Sequence, residues 1–299
     1  MTAALAQRLA VVRVAVFAYA AVYVAVRSPT IVDTSELDPA RFDPIGGVAW
    51  LNTPLQSPVL AALVALAVLA SGAAAAGWHY RICSPAAALA VLVVLSHRLS
   101  WGQVLHTENL VVLHACILAF TPAADAWSLD ARSTTRRPRA SDESDYTWAL
   151  WLISAVTVST YVIAAWAKLR IGGADWISGD VLRSHIAHDN LRKHLLGDPS
   201  SPLARFVVPQ AWLFSPMAIG ALALELAAPM ALLGFRRVRH AWVVMAWLFH
   251  VAVLALMAIV FPYQLLGIAF LSFVDAEAIG QRLGRLRPIS RRSSADLRR

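Results

Sequence analysis

The chain has 299 residues, of which 59% are hydrophobic and only 15% charged, and its mean hydropathy is +0.60. Soluble domains run nearer to about 45–50% apolar and 25% charged. This excludes an ordinary water-soluble fold and leaves an all-α polytopic membrane protein, whose net charge of +8 reflects arginine-rich loops and calls for no nucleic acid.

The first apolar segment, 9–26, is interrupted by Arg13 and reads as an uncleaved membrane span. A polar stretch, 27–57, follows; it is rich in Asp, Pro and Gly, and its acidic balance suits the non-cytoplasmic side. Further apolar segments run over 58–76, 85–99, 109–124, 148–168, 216–235, 241–260 and 262–274. A straight span needs about 20 residues, so the third, fourth and eighth are short. Loop charge arbitrates. Eight spans with both termini cytoplasmic place Arg81, Arg132, Arg136, Arg137, Arg139, Arg236, Arg237 and Arg239 inside, together with the arginine-rich tail. The expectation is one domain over 1–275, a disordered tail over 276–299, and a long outer loop over 170–215. Cys83 and Cys116 read as packing residues, and no zinc, nucleotide or dinucleotide motif occurs.

Lys168 stands at the end of the fifth span. Tyr161, Ala164 and Ala165 share its helical face at spacings of seven, four and three, and small residues there admit a close neighbour. Gly172-Gly173 is expected to break the helix into a polar loop carrying Asp175 and Trp176. One reading is a snorkelling lysine beside an interfacial tryptophan, removable as Lys168→Ala at little cost. The eight-span topology also sets His106, Glu108 and Asn109 at the outer end of the fourth span, level with Lys168. Deeper lie His114, Glu225 and His250. An ionisable group at mid-membrane costs about 2.5–3.5 kcal/mol on insertion scales, so such residues face the bundle interior and mark function or an interhelical hydrogen bond. Glu225 and His250 are expected to lie near each other. His114 suits a structural role. Pro229, four residues after Glu225, cannot donate to its carbonyl and leaves a bent, polar spot.

Three runs in order carry a resemblance: HTENLVVLHACILAFTPAADAWSLD (106–130), YVIAAWAKLRIGGADWISG (161–179), and ALELAAPMALL, WLFHVAVLALM and FPYQLLGIAFLSF (within 223–273). They resemble the membrane domain of the vitamin K-dependent γ-carboxylase family, also called the horizontally transferred transmembrane or HTTM domain. The likeness spans about residues 9–275. It implies a site at the extracytoplasmic face. There Lys168, in its KL…DW setting with Leu169, Asp175 and Trp176, is the base that deprotonates a reduced quinone of the vitamin K or menaquinone type. Oxygen then yields a strong base that removes a glutamate γ-proton, and CO2 traps the carbanion. His106 resembles a supporting histidine, and His250 a further one in a Phe-His pair. Asp175, Trp176 and His250 are the pocket residues the resemblance implies, and Glu108, Asn109 and Glu225 join them as pocket candidates by their membrane level and depth. The implied partners are the bilayer, a lipid-soluble quinone and a peptide or protein substrate in a bacterial plasma membrane, with no metal. A lysine acts as base only when its amine is neutral, which a low-dielectric site favours.

Two departures keep alternatives open. Ala167 stands where the animal enzymes have a second lysine, and the chain ends soon after its last span, so a lumenal substrate-holding region is not expected. A non-catalytic factor for maturation or export of a secreted peptide or partner protein is the second reading. A proton-coupled transporter using Glu225 and His250 is the third, disfavoured by the absence of a visible inverted repeat. The topology has a direct check. A cysteine at Ser141 should be shielded from an impermeant thiol reagent in intact cells, whereas one within 170–215 should react; labelling of Ser141 at the outer rate would overturn the eight-span assignment.

Overall fold

The computed structural model describes residues 2–102, 106–132, 142–276 and 278. Ser141 and the tail beyond 278 lie outside the described residues. All regular structure among the described residues is helical. The helices are α1 (Thr2–Asp33), α2 (Ser57–Ala76), α3 (Tyr80–Leu99), α4 (Asn109–Ala119), α5 (Ser144–Ser178), α6 (Asp180–Leu196), α7 (Ala204–Val207), α8 (Phe214–Leu226), α9 (Arg236–Met257) and α10 (Pro262–Leu265). Short 3-10 turns join them, the longest at Ala228–Leu232 and Ile268–Phe273.

Six stretches are long and apolar enough to cross a membrane: Thr2–Glu36, Ser57–Ala76, Tyr80–Leu99, Ser144–Ser178, Ala211–Leu232 and Arg236–Met257. Of the eight expected spans, six are thus long helices. The expected third span is a full helix of 20 residues, because α3 starts before Pro85. The expected fourth is only 11 residues long, and the expected eighth is a single α turn followed by a 3-10 segment. The expected outer loop, 170–215, is mostly helix.

Short passes leave helix ends inside the bundle, where every free carbonyl needs a donor. Below α4 that donor is Arg13. It is fully buried, and its guanidinium donates to the carbonyls of Ala123, Ala126 and Trp127 at 2.8, 3.2 and 2.7 Å. Thus the arginine that interrupts the first apolar segment fastens α1 to the chain after α4. Next to it, Asp130 accepts from the His79 and Tyr80 amides at 3.0 and 2.9 Å, capping the start of α3. Gly77 makes the tight turn between α2 and α3 possible. Its φ is +66°, and a Cβ there would lie 2.3 Å from Ser128 Cβ.

Ion pairs show which ends meet. Asp275 pairs with Arg8 at 3.6 Å and Arg236 at 2.9 Å, and Thr2 donates to Glu143 at 2.9 Å. The first turns of α1, α5 and α9 therefore share one end with Asp275. At the opposite end, α6 and the segment after it cap α9. Ser201, Asn190 and Lys193 donate to the carbonyls of Ala255, Leu256 and Met257, the latter two contacts at 2.9 and 2.6 Å. Gly179 permits this corner: its φ is +89°, and a Cβ would sit 2.3 Å from the Phe214 carbonyl carbon.

Arg13→Met should strand one buried and two part-buried carbonyls. At about 1–3 kcal/mol for an unsatisfied buried group, partly relieved by relaxation, the loss should be roughly 3 kcal/mol or more. Arg13→Lys should recover only part, because an ammonium cannot span three acceptors. Unfolding in detergent reads both; an Arg13→Met protein as stable as the parent would refute this role.

Candidate functional site

α5 is the spine of the site. It does not end in a loop after Lys168, as expected, but kinks and continues. Gly173 takes a non-helical conformation, φ 51° and ψ −131°, and the helix resumes to Ser178. The glycine pair therefore marks a bend, and Asp175 and Trp176 are helical. Trp176 turns inward and is buried, whereas Asp175 is exposed.

Lys168 is not a free, snorkelling side chain. Helical side chains lean toward the helix N-terminus, which carries its amine deeper than its Cα, and Nζ donates to Glu225 Oε1 in a close ion pair. The Trp176 and Phe249 rings flank the ammonium at 5.3 and 5.7 Å. The small-residue face behaves as its composition implies: Ala165 packs on Ala218 and Leu222 of α8. Glu225 is 2% exposed and lies one residue from the end of α8; the chain then passes into the 3-10 turn that contains Pro229.

Two turns below Lys168 on the same face, Tyr161 pairs with His250, Oη to Nε2, at 2.9 Å. Both are buried. Glu225 and His250 thus both face the interior, as expected, but each takes a different partner, and both partners lie on α5. The expected mutual pair is replaced by two parallel ones. The His250 ring lies 4.9 Å from Phe261, which lies 5.4 Å from His106. The His106 imidazole is exposed at the mouth of this group, held below the usual histidine range first by partial burial and then by the Lys168 charge.

Three buried polar atoms around this centre lack a hydrogen-bond partner among the described residues: Glu225 Oε2, His250 Nδ1 and Trp176 Nε1. Buried polar atoms are nearly always paired, and these three leave donor and acceptor positions open around the Lys168–Glu225 pair. If Tyr161 donates to Nε2, His250 Nδ1 carries a proton and offers a donor beside the Glu225 acceptor.

The other expected residues fall elsewhere. Glu108 is buried and accepts from both Arg98 and Tyr23. With Asn109 it lines a separate cavity of 320 Å³ between α3 and α4, next to Leu92, Ser96 and Leu113. Among the described residues no contact joins Glu108 or Asn109 to Lys168. His114 has the structural role read for it: it is fully buried, with its ring nitrogens at 2.8 Å from Tyr263 Oη and 3.1 Å from Thr157 Oγ1. Sequence reasoning missed the Tyr161 hydroxyl as a partner for His250. The available signal was its place seven residues before Lys168 on one face.

A family model described as HTTM domain matches residues 3–277. Comparison with curated proteins and with solved structures finds no match.

Glu225→Ala should destabilise the bundle, because it strands the Lys168 ammonium. Breaking one side of a buried pair costs about 3–5 kcal/mol, and the partial exposure of Lys168 places this case at the lower end. For the same reason Lys168→Ala is not the cheap change that an anchoring lysine would allow. The double variant Lys168→Met with Glu225→Leu should regain most of the loss. Additive losses in a double-mutant cycle would show that the two residues are not coupled.

Proposed function

The chain belongs to the HTTM family, which is related to the vitamin K-dependent carboxylases, and on that premise we propose that it is a carboxylase-like membrane enzyme with Lys168 as its base. The carrying observation is the Lys168–Glu225 pair set among three unpartnered polar atoms. A reduced quinone with oxygen would supply the strong base needed to take a proton from a weak carbon acid such as a glutamate γ-carbon, with CO2 as the trap.

The residues support that chemistry as follows. An ammonium beside a carboxylate and an amine beside a carboxylic acid have the same net charge, and they differ by one proton along the Lys168–Glu225 hydrogen bond. Glu225 can therefore hold the lysine proton while the amine accepts one from a quinol hydroxyl. His250, fixed by Tyr161, and Trp176 Nε1 would orient the ring oxygens. Phe249 and Phe261 give the site apolar walls. His106 stands toward the mouth, where a peptide substrate would arrive.

In this reading the end carrying Arg8 and Arg236 is cytoplasmic, so the arginine-rich connections lie inside and the site opens outward from a bacterial plasma membrane. The two short passes complete eight, and both termini lie inside.

A second reading, a non-catalytic factor for maturation or export of a secreted peptide, draws support from the same pair. A satisfied lysine–glutamate pair can be purely structural.

Lys168→Arg separates the two. Arginine keeps the pair with Glu225 and should leave folding and binding of a menaquinone analogue within about twofold of the parent. It cannot give up its proton near neutral pH, so quinol-dependent CO2 fixation into a glutamyl peptide should fall at least about 100-fold, the lower range of general-base catalysis. An arginine variant with full activity would assign Lys168 to anchoring, and a parent protein without quinone binding would favour the non-catalytic reading.

A further inference from the structure

At the end where α1, α5 and α9 begin, a cavity of 160 Å³ opens between α1, α5, α9 and the two 3-10 segments. Its walls divide by chemistry. Leu5, Leu150, Trp151 and Leu232 form the apolar part, while Arg8, Arg239, Thr147, Ser154 and Ser272 supply polar groups. Ser154 donates to Ser272 at 2.8 Å, and Arg8 donates to the Ser272 carbonyl at 2.6 Å, which fixes the polar side.

The two arginines are not equivalent. Arg8 is paired with Asp275. Arg239 is half-buried, its Nε is buried without a partner, and it has no ion pair among the described residues. Asp275 is already shared between Arg8 and Arg236. Among the described residues the cavity therefore keeps a positive charge with no ion-pair partner, and the Ser272 hydroxyl, which accepts from Ser154, has its own hydrogen left to donate. Depth points to the kind of anion. Trp148 and Trp151 on α5 are 43% and 57% exposed at the same end, and exposed tryptophans mark the headgroup level of a bilayer. The cavity thus meets lipid where phosphates lie, with leucine side chains lining the way toward the acyl region.

We propose that this cavity binds the headgroup of an anionic glycerophospholipid of the phosphatidylglycerol class. Its phosphate is held by Arg239 with the Ser272 hydroxyl, and one acyl chain runs along Leu5, Leu150 and Leu232. Basic pockets between membrane helices commonly recognise anionic lipids in this way. The assignment is independent of the chemistry at Lys168.

The test uses the full chain in nanodiscs and mass spectrometry of the lipid-bound protein. The parent should retain phosphatidylglycerol at least tenfold over phosphatidylcholine, and Arg239→Gln should abolish the preference. Because Arg239 has no ion-pair partner to lose among the described residues, Arg239→Gln should melt at or above the parent temperature in neutral detergent, yet below it in phosphatidylglycerol nanodiscs. Leu232→Trp, which fills the apolar part while keeping the charge, should also lose retention and serves if Arg239→Gln does not accumulate. Equal retention of both lipids by the parent would overturn the proposal. So would stabilisation by millimolar inorganic phosphate that is lost in Arg239→Gln without any lipid preference, since the site would then take free phosphate.

Discussion

A polar group inside a membrane bundle has no water to fall back on, and this constraint shapes the whole molecule. α4 and the 262–273 segment are too short to span a bilayer as straight helices, and side chains from distant helices meet the chain ends beside them. Arg13 reaches the carbonyls at 123, 126 and 127, and Asp130 caps α3 from the same turn. At the other end Ser201, Asn190 and Lys193 close α9. The fold is a set of apolar helices whose irregular ends are stitched by a few polar side chains.

The same rule organises the interior. α5 presents two polar side chains two turns apart, and each meets a group on a different helix: Lys168 with Glu225 on α8, Tyr161 with His250 on α9. One helix thereby sets the position of two others. A further buried histidine, His114, uses both ring nitrogens on Tyr263 and Thr157 and has nothing left to offer a ligand. Glu225, His250 and Trp176 each retain one polar atom without a partner among the described residues. Protein groups alone satisfy His114, whereas the polar groups around the Lys168–Glu225 pair are only partly satisfied by them.

Hydropathy made the long apolar helices legible, since runs such as 58–76 need no partner to be recognised. It could not measure α4 or the 262–274 pass, because composition does not reveal where a helix gives way to 3-10 turns once Arg13 or a neighbour can take up the carbonyls. The 170–215 stretch was read as a loop because α6 is polar; its signals were Asp180 in the first turn, Lys193 and His194 in the last, and Gly197 beyond. Within the candidate site, the shared face of Tyr161, Ala165 and Lys168 followed from spacing alone. The partners did not, since pairing across helices depends on packing angles and on how far a lysine leans back along its own helix. Equal membrane level likewise left open that Glu108 would turn to Arg98 and Tyr23, away from Lys168.

The Lys168–Glu225 pair also sets a timetable for biosynthesis. The two residues are 57 apart in sequence, and ribosomes add about 5–20 residues per second. At that pace α5 emerges roughly 3–11 s before α8 can supply the matching carboxylate. During that interval a lysine-bearing helix must stay beside the insertion machinery or other polar helices, because lateral release into lipid would expose the charge. The Lys168–Glu225 pair can therefore close only after α8 has arrived.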